Sequence, residues 1–170
     1  GFGVKAALVP MHTWLPDAHS QAPSGISAML SGVVIEAGLV AMLRSLVALD
    51  ELNPAWLLAG FGALNMLVGN LMALRQTQLK RMLAYSAISH MGFMLLALSL
   101  GKHPVVMFEA YTSALYYVVA YVLMSLAGFG ILLLLSRAGY DVETLEDMKG
   151  LNQRSPWFAA MMMIVMFSMA

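Results

Sequence analysis

Residues 105–135 read VVMFEAYTSALYYVVAYVLMSLAGFGILLLL, 31 positions with a single charged residue, Glu109. Such a run has few possible homes. About 20 apolar residues in helical form cross the hydrocarbon core of a bilayer. Within lipid, only helices and closed barrels satisfy their own backbone polar groups. The rest of the chain agrees: of 170 residues 61% are hydrophobic and 11% charged, with a mean hydropathy of +0.79. A soluble domain carries about 25% charged residues. The class is therefore an all-α, polytopic transmembrane helix bundle. Cysteine is absent, which excludes a disulfide framework and a Cys-based metal site. Net charge is zero with no basic run, so nothing points to nucleic acid. The first ten residues lack the charged region and cleavage site of a signal peptide.

Apolar length places five candidate spans and one truncated start in a single membrane domain, residues 1–170. Residues 1–10 form the tail of a helix. MHTWLPDAHSQAPS (11–24) is too rich in proline and polar groups to be a continuous span. Ser24 is the expected N-cap of a helix over 24–48. DELNP leads to a third helix over 55–74, RQTQLKR (75–81) forms a basic turn, and a fourth helix runs to about Leu100. GKHP precedes the fifth helix at 105–135. The long hydrophilic stretch after it holds TLEDMKG, a surface turn capped by Thr144. A last helix starts near Trp157. Both ends read as interruptions of a longer chain, and no internal repeat stands out. Arg75, Lys80, Arg81, Arg137, Lys149 and Arg154 lie in two connections, against Arg44 and Lys102 on the other side. This asymmetry puts HTWLPDAHS, 75–81 and 136–155 on the cytoplasmic face, in a bacterial inner membrane.

Polar residues recur in stripes along these helices. Glu109, Ser113, Tyr117, Tyr121 and Ser125 follow each other every four residues, on one slowly drifting helical face. Arg81, Tyr85 and Ser89 form a second stripe with Ser86 and His90 beside it, and Gly62, Asn65 and Gly69 a third. Polar side chains in lipid turn toward other helices or water. Ordinary interhelical hydrogen bonding, worth about 0.6 kcal/mol per bond, accounts for any one of them. Three striped helices together favour a hydrated path through the bundle.

Glu36 stands in the uncharged run SAMLSGVVIEAGLVAMLR (27–44). A charge at a helix centre costs roughly 2.5–3.5 kcal/mol on insertion scales, so an ionisable residue there reads first as functional. It shares a face with Ala28 and Gly32, small residues that let another helix approach. Lys5 is the second candidate within the membrane, with snorkelling to the interface as its plain explanation. A Lys5–Glu36 pair facing one another would stabilise both charges and could relay a proton. Lys80 and Arg81 read as membrane-edge anchors. His12, His19 and Asp17 have no metal-ligand spacing, and His103 sits beside Pro104 in a loop.

GFGVKAALVPMHTWLPDAHSQAPSGISAMLSG (1–32) and ALRQTQLKRMLAYSAISHMGFMLLAL (73–98) resemble the signature blocks of the antiporter-like, proton-translocating membrane subunits. These occur in respiratory complex I (subunits N, M and L), in multisubunit cation/proton antiporters and in membrane-bound hydrogenases. The resemblance covers essentially the whole chain. It implies part of a fourteen-helix fold with inverted repeats and a broken helix near the N-terminal end of this segment. It also implies that Lys5, at the break and seven residues before His12, is the family's proton-carrying lysine. Glu36 falls where relatives commonly keep a basic residue in the following helix, so the sign of that group is reversed here. Tyr117, Tyr121 and Ser125 resemble the complex I subunit N branch, whereas HTWLPDAHSQAPSGISAMLSG leans toward hydrogenases.

The resemblance thus implies a proton-translocating subunit of an NADH:quinone oxidoreductase. Its expected path is Lys5, Glu36, His90, Tyr117, Tyr121 and Ser125, with His12, Lys80 and Arg81 as gating or edge residues. No cofactor is expected in this chain itself. Its expected partners are other membrane subunits, the lipid bilayer and protons, with sodium as the alternative cargo. A subunit of a sodium/proton antiporter or hydrogenase, and a structural scaffold without transport, are the competing readings.

Overall fold

A computed structural model describes residues 1–47, 55–102, 105–139 and 143–169. His103 and the DELNP connection lie outside the described residues. Among the described residues the chain is helical: α1 (Phe2–Lys5), α2 (Trp14–Gln21), α3 (Ser24–Met29), a π turn (Leu30–Val34), α4 (Ile35–Val47), α5 (Ala55–Ala73), α6 (Leu79–Ser99), α7 (Met107–Arg137), α8 (Leu151–Arg154) and α9 (Pro156–Met169). Four stretches are long and apolar enough to cross a membrane: Ser24–Met42, Ala55–Ala73, Leu79–Ser99 and Met107–Arg137. At 1.5 Å per residue α7 is about 46 Å long, more than the roughly 30 Å hydrocarbon core. It therefore tilts or projects beyond the core.

The N-terminal helix is shorter than its apolar run. It stops at Lys5, not near residue 10, because Ala7 takes a left-handed conformation (φ 49°). Two long-range bonds hold the break that follows. The Trp14 indole Nε1 donates to the Val4 carbonyl at 2.7 Å, and the Val9 N–H donates to Asn65 Oδ1 at 2.8 Å. Asn65 Nδ2 also donates to the Ile88 carbonyl at 3.3 Å, so one buried amide serves the break, α5 and α6.

Two helix starts differ from expectation, one by a single residue and one by about a turn. Pro23, not Ser24, is the N-cap of α3, and its carbonyl accepts the N–H groups of Ile26 and Ser27. Lys80 and Arg81 lie in the first turn of α6, not in the preceding loop. Cations there oppose the helix dipole, and both are engaged by α2 and its end. Lys80 Nζ donates to the Ala22 carbonyl at 2.9 Å, and Arg81 pairs with Asp17.

The segment after α7 folds back on the same loop. Gln78 and Thr144 form an antiparallel bridge, with Leu79 N–H donating to the Glu143 carbonyl and Leu145 N–H to the Thr77 carbonyl. TLEDMKG forms the expected capped turn. Asp147 accepts from the Thr144 N–H and hydroxyl, each at 2.8 Å. These bonds and the α2–α6 ties draw the three connections assigned to one membrane face together at one end of the bundle.

Small residues join α5 to α6. A Cβ at Gly92 would lie 2.6 Å from the Gly62 carbonyl oxygen, and one at Gly69 would lie 2.7 Å from the Ser89 nitrogen. The Gly62, Asn65 and Gly69 stripe is thus a packing seam between α5 and α6.

Candidate functional site: a polar cluster inside the bundle

Helices α4, α6 and α7 bring the polar stripes together. Alpha helix geometry of about 100° per residue puts positions five apart on different faces. The π turn, with its i→i+5 bonding, brings Ser31 and Glu36 round to a common side. Glu36 is only 6% exposed, and its Oε2 has no hydrogen-bond partner. Its carboxylate lies close enough to Tyr117 and Tyr121 for its charge to act on both phenols. A buried carboxylate oxygen left without a donor is costly, which marks the position as one where structure alone is poorly served.

Ser31, which the sequence reading did not single out, is the hub of a hydroxyl chain. Its Oγ lies 2.9 Å from Tyr121 Oη, and Ser125 Oγ donates to it at 2.9 Å. All three residues are buried. Beside them, His90 Nδ1 and Tyr117 Oη are 2.7 Å apart, and the His90 and Tyr121 rings lie 4.8 Å centroid to centroid. His90, Tyr117 and Tyr121 also line a cavity of about 710 Å³ between α5, α6, α7 and α9, together with Ser86 and Ser89. The stripe on α7 divides along its length: Tyr121 and Ser125 face the interior, Tyr117 is half-buried, and Glu109 and Ser113 are exposed. The drift of a four-residue repeat against 3.6 residues per turn accounts for that change.

Lys5 and Glu36 do not pair. Among the described residues no ion pair joins them, and the Lys5 side chain is exposed. The reason lies in Gly38, where a Cβ would sit 3.0 Å from the Lys5 carbonyl carbon. The Lys5 Cβ is almost as near that position, at 3.1 Å, and Glu36 lies two residues, about 200°, round α4 from Gly38. What could act together here is therefore Glu36, Ser31, Tyr121, Ser125, Tyr117 and His90, with Lys5 one layer away at the break.

Of the edge residues, Lys80 and Arg81 hold α2 in place. His12 packs edge-on against Tyr85, with 6.4 Å between ring centroids, and burial pushes its imidazole below the ordinary value. His19 is fully buried, with both ring nitrogens unpartnered, and stacks on Phe129 at 5.3 Å. Burial and the nearby Lys80 charge push it down to about 4, so it is a neutral core residue at physiological pH. Among the described residues no group of three His, Asp or Glu side chains could hold a metal ion.

The whole chain, residues 1–170, matches the family model described as the NADH:quinone oxidoreductase/Mrp antiporter transmembrane family. NADH-quinone oxidoreductase subunit N of Azoarcus sp. (strain BH72) is 47% identical over 176 residues, which cover all of this chain and 36% of the relative. The chain thus spans about a third of that relative's length. In respiratory complex I from Thermus thermophilus with bound aureothin, a chain of 32% identity aligns with a TM-score of 0.78, covering 99% of this chain and 36% of that one. In the archaeal membrane-bound sulfane sulfur reductase, a respiratory membrane complex, a chain of 30% identity aligns at 0.82, covering 96% and 33%. With the family model matched over residues 1–170, the chain belongs to the NADH:quinone oxidoreductase/Mrp antiporter membrane family.

Proposed function

We propose that this chain is the central part of a proton-translocating membrane subunit of an NADH:quinone oxidoreductase, seated in a bacterial cytoplasmic membrane among other membrane subunits. One observation carries the reading: a contiguous cluster of ionisable and hydroxyl side chains is enclosed in an otherwise apolar bundle. Glu36 has an unpartnered carboxylate oxygen, Tyr121, Ser31 and Ser125 form a hydroxyl chain, and the His90–Tyr117 pair opens onto a cavity. Ionisable groups inside a membrane mark ion paths by default. The 47% identity to a subunit N supports the same reading.

In this mechanism Glu36 takes up and releases the proton, and His90 exchanges it with the cavity through its ring nitrogens. Tyr117, Tyr121 and Ser125 keep the path hydrogen-bonded. Lys5, at the end of α1 and exposed beside the break, is the second proton-exchanging group in this reading. Redox chemistry belongs to other subunits. The test is the complete complex reconstituted in vesicles with Glu36→Gln. NADH oxidation should persist while acidification of the lumen falls. Undiminished pumping would overturn the reading and favour a scaffold.

A second reading, the same proton path coupled to a different respiratory or antiporter complex, is favoured by the alignment at 0.82 to the sulfane sulfur reductase chain. The subunits that copurify with the full-length protein separate the two, and pumping in sodium-free buffer tells protons from sodium as cargo.

A further inference from the structure

We infer that Asn65 is a positioning residue that keys the break carrying Lys5 to the turn of α6 carrying His90. The inference rests on the reading of Lys5 and His90 as groups of one proton path. It names the side chain that sets where one stands relative to the other.

Asn65 is fully buried on a span-length helix, a costly place for an amide unless both of its ends are used. Both ends are bonded. Its Oδ1 accepts the Val9 N–H at 2.8 Å, and its Nδ2 donates to the Ile88 carbonyl at 3.3 Å. The amide has one workable orientation, because a backbone N–H can only donate and a carbonyl can only accept. The two partners differ in need. Ile88 lies inside α6, where a carbonyl is already offered a helical N–H and has a second lone pair to spare. Val9 lies in no helix, and Asn65 is the partner of its N–H. The other bonds of the break stay local: Leu8 N–H to the Gly3 carbonyl at 2.8 Å, Met11 N–H to the Leu8 carbonyl at 2.6 Å, and the Trp14 indole to Val4. Among the described residues, the Val9 bond is thus the one hydrogen bond that joins residues 6–13 to a span-length helix.

The far side of the amide is held firmly. A Cβ at Gly69, one turn after Asn65, would lie 2.7 Å from the Ser89 nitrogen, and one at Gly62 would lie 2.9 Å from the Gly92 carbonyl oxygen. Backbone packed on backbone above and below Asn65 leaves α5 and α6 no room to slide there. His90 follows Ile88 by two residues, with its Nδ1 2.7 Å from Tyr117 Oη. Lys5 precedes Val9 by four residues. One amide therefore sets the break, and with it Lys5, against the same stretch of α6 that presents His90.

The test uses the full-length subunit in its reconstituted complex and reads the ratio of protons pumped to NADH oxidised. Asn65→Leu removes both bonds, so the ratio should fall between about twofold and tenfold while assembly and NADH oxidation persist. Asn65→Ala serves the same comparison where Asn65→Leu does not assemble. Asn65→Asp, assayed at about pH 6, carries a carboxyl that burial keeps protonated. That group offers an acceptor and a donor in the same places, so the wild-type ratio should be kept. Lys5→Ala separates placement from general packing. When Asn65 acts by placing the break, Asn65→Leu adds nothing to the loss already caused by Lys5→Ala. Hydrogen exchange follows the geometry: the Val9 amide exchanges faster in Asn65→Leu, and the α6 amides near Ile88 keep their protection. An unchanged ratio in Asn65→Leu, an equal loss in Asn65→Asp, or losses that multiply in the double variant overturns the inference. If Lys5→Ala itself pumps normally, the reading of Lys5 as a proton-exchanging group falls first, and the role of Asn65 falls with it.

Discussion

Asn65 Oδ1 accepts the Val9 N–H at 2.8 Å, a bond between a transmembrane helix and a break 56 residues earlier. The same side chain donates to the Ile88 carbonyl. Replacing Asn65 with leucine would leave both backbone groups buried without partners. The penalty for each orphaned group is about 1–3 kcal/mol. Asn65→Leu should lower the thermal stability of the detergent-solubilised protein and free the chain after Lys5. Faster proteolysis between Ala6 and Thr13, with α5 and α6 still protected, would show that the loss is local. Wild-type resistance would refute the role given to Asn65.

The α5–α6 seam predicts a sharper steric effect. A Cβ at Gly92 meets the Gly62 carbonyl oxygen at 2.6 Å and the Met66 nitrogen at 2.8 Å. Both are backbone atoms that move only with their helix. Gly92→Ala should destabilise by about 1–3 kcal/mol, whereas Gly60→Ala, with open space around its Cβ, should be neutral or slightly stabilising. Unfolding of the two variants in parallel measures the difference, and equal stabilities would contradict the packing described.

His19 sets a pH dependence. Its folded value is depressed to about 4 from 6.5, so the unfolded chain takes up its proton first as pH falls. The stability this residue supports is complete above about pH 6.5 and is lost on acidification toward pH 4. At pH 4.5 the loss amounts to about 2–3 kcal/mol. His19→Phe should flatten this acid limb, and melting temperatures at pH 7.5 and 4.5 for both proteins test it. A parallel drop in the variant would assign the acid sensitivity elsewhere.

His90 depends on Tyr117 for the 2.7 Å bond to Nδ1. Tyr117→Phe removes that partner at nearly constant volume. A hydrogen bond contributes about 0.5–1.5 kcal/mol, so pumping through a path that uses His90 should fall between about twofold and tenfold, with normal assembly. Proton uptake by the reconstituted complex at matched NADH turnover is the measurement, and an unchanged ratio would remove the pair from the path.

Much of this architecture is legible in the sequence. The spans at 24–47, 55–73, 79–99 and 107–137 differ from their apolar runs by a few residues. Glu36 stands out on cost alone, and the capped turn at Thr144 is written in the spacing of Thr144 and Asp147. Where the reading departs, the cause is local competition from tertiary partners. Lys80 and Arg81 read as the end of the basic turn 75–81, yet they stand in the first turn of α6, where Ala22 and Asp17 engage them. Ser31 is an ordinary serine in sequence. Nothing at positions 27–44 announces a π turn, and only α7 makes the serine a hub.

The sequence by itself determined that this chain crosses a membrane, roughly where it does so, and which polar residues stand within its spans. Those properties follow from the composition of each segment. Tertiary structure alone decided which of those residues meet. Ser31 and Tyr121 lie 90 positions apart and Val9 and Asn65 lie 56 apart. Such pairs depend on how each helix is rotated about its axis, and that rotation is set by close contacts such as Gly92 on Gly62 and Gly38 on Lys5. Glu36 is consequently buried in the bundle without the Lys5 partner considered for it, because helix packing, which no single segment encodes, turned it that way.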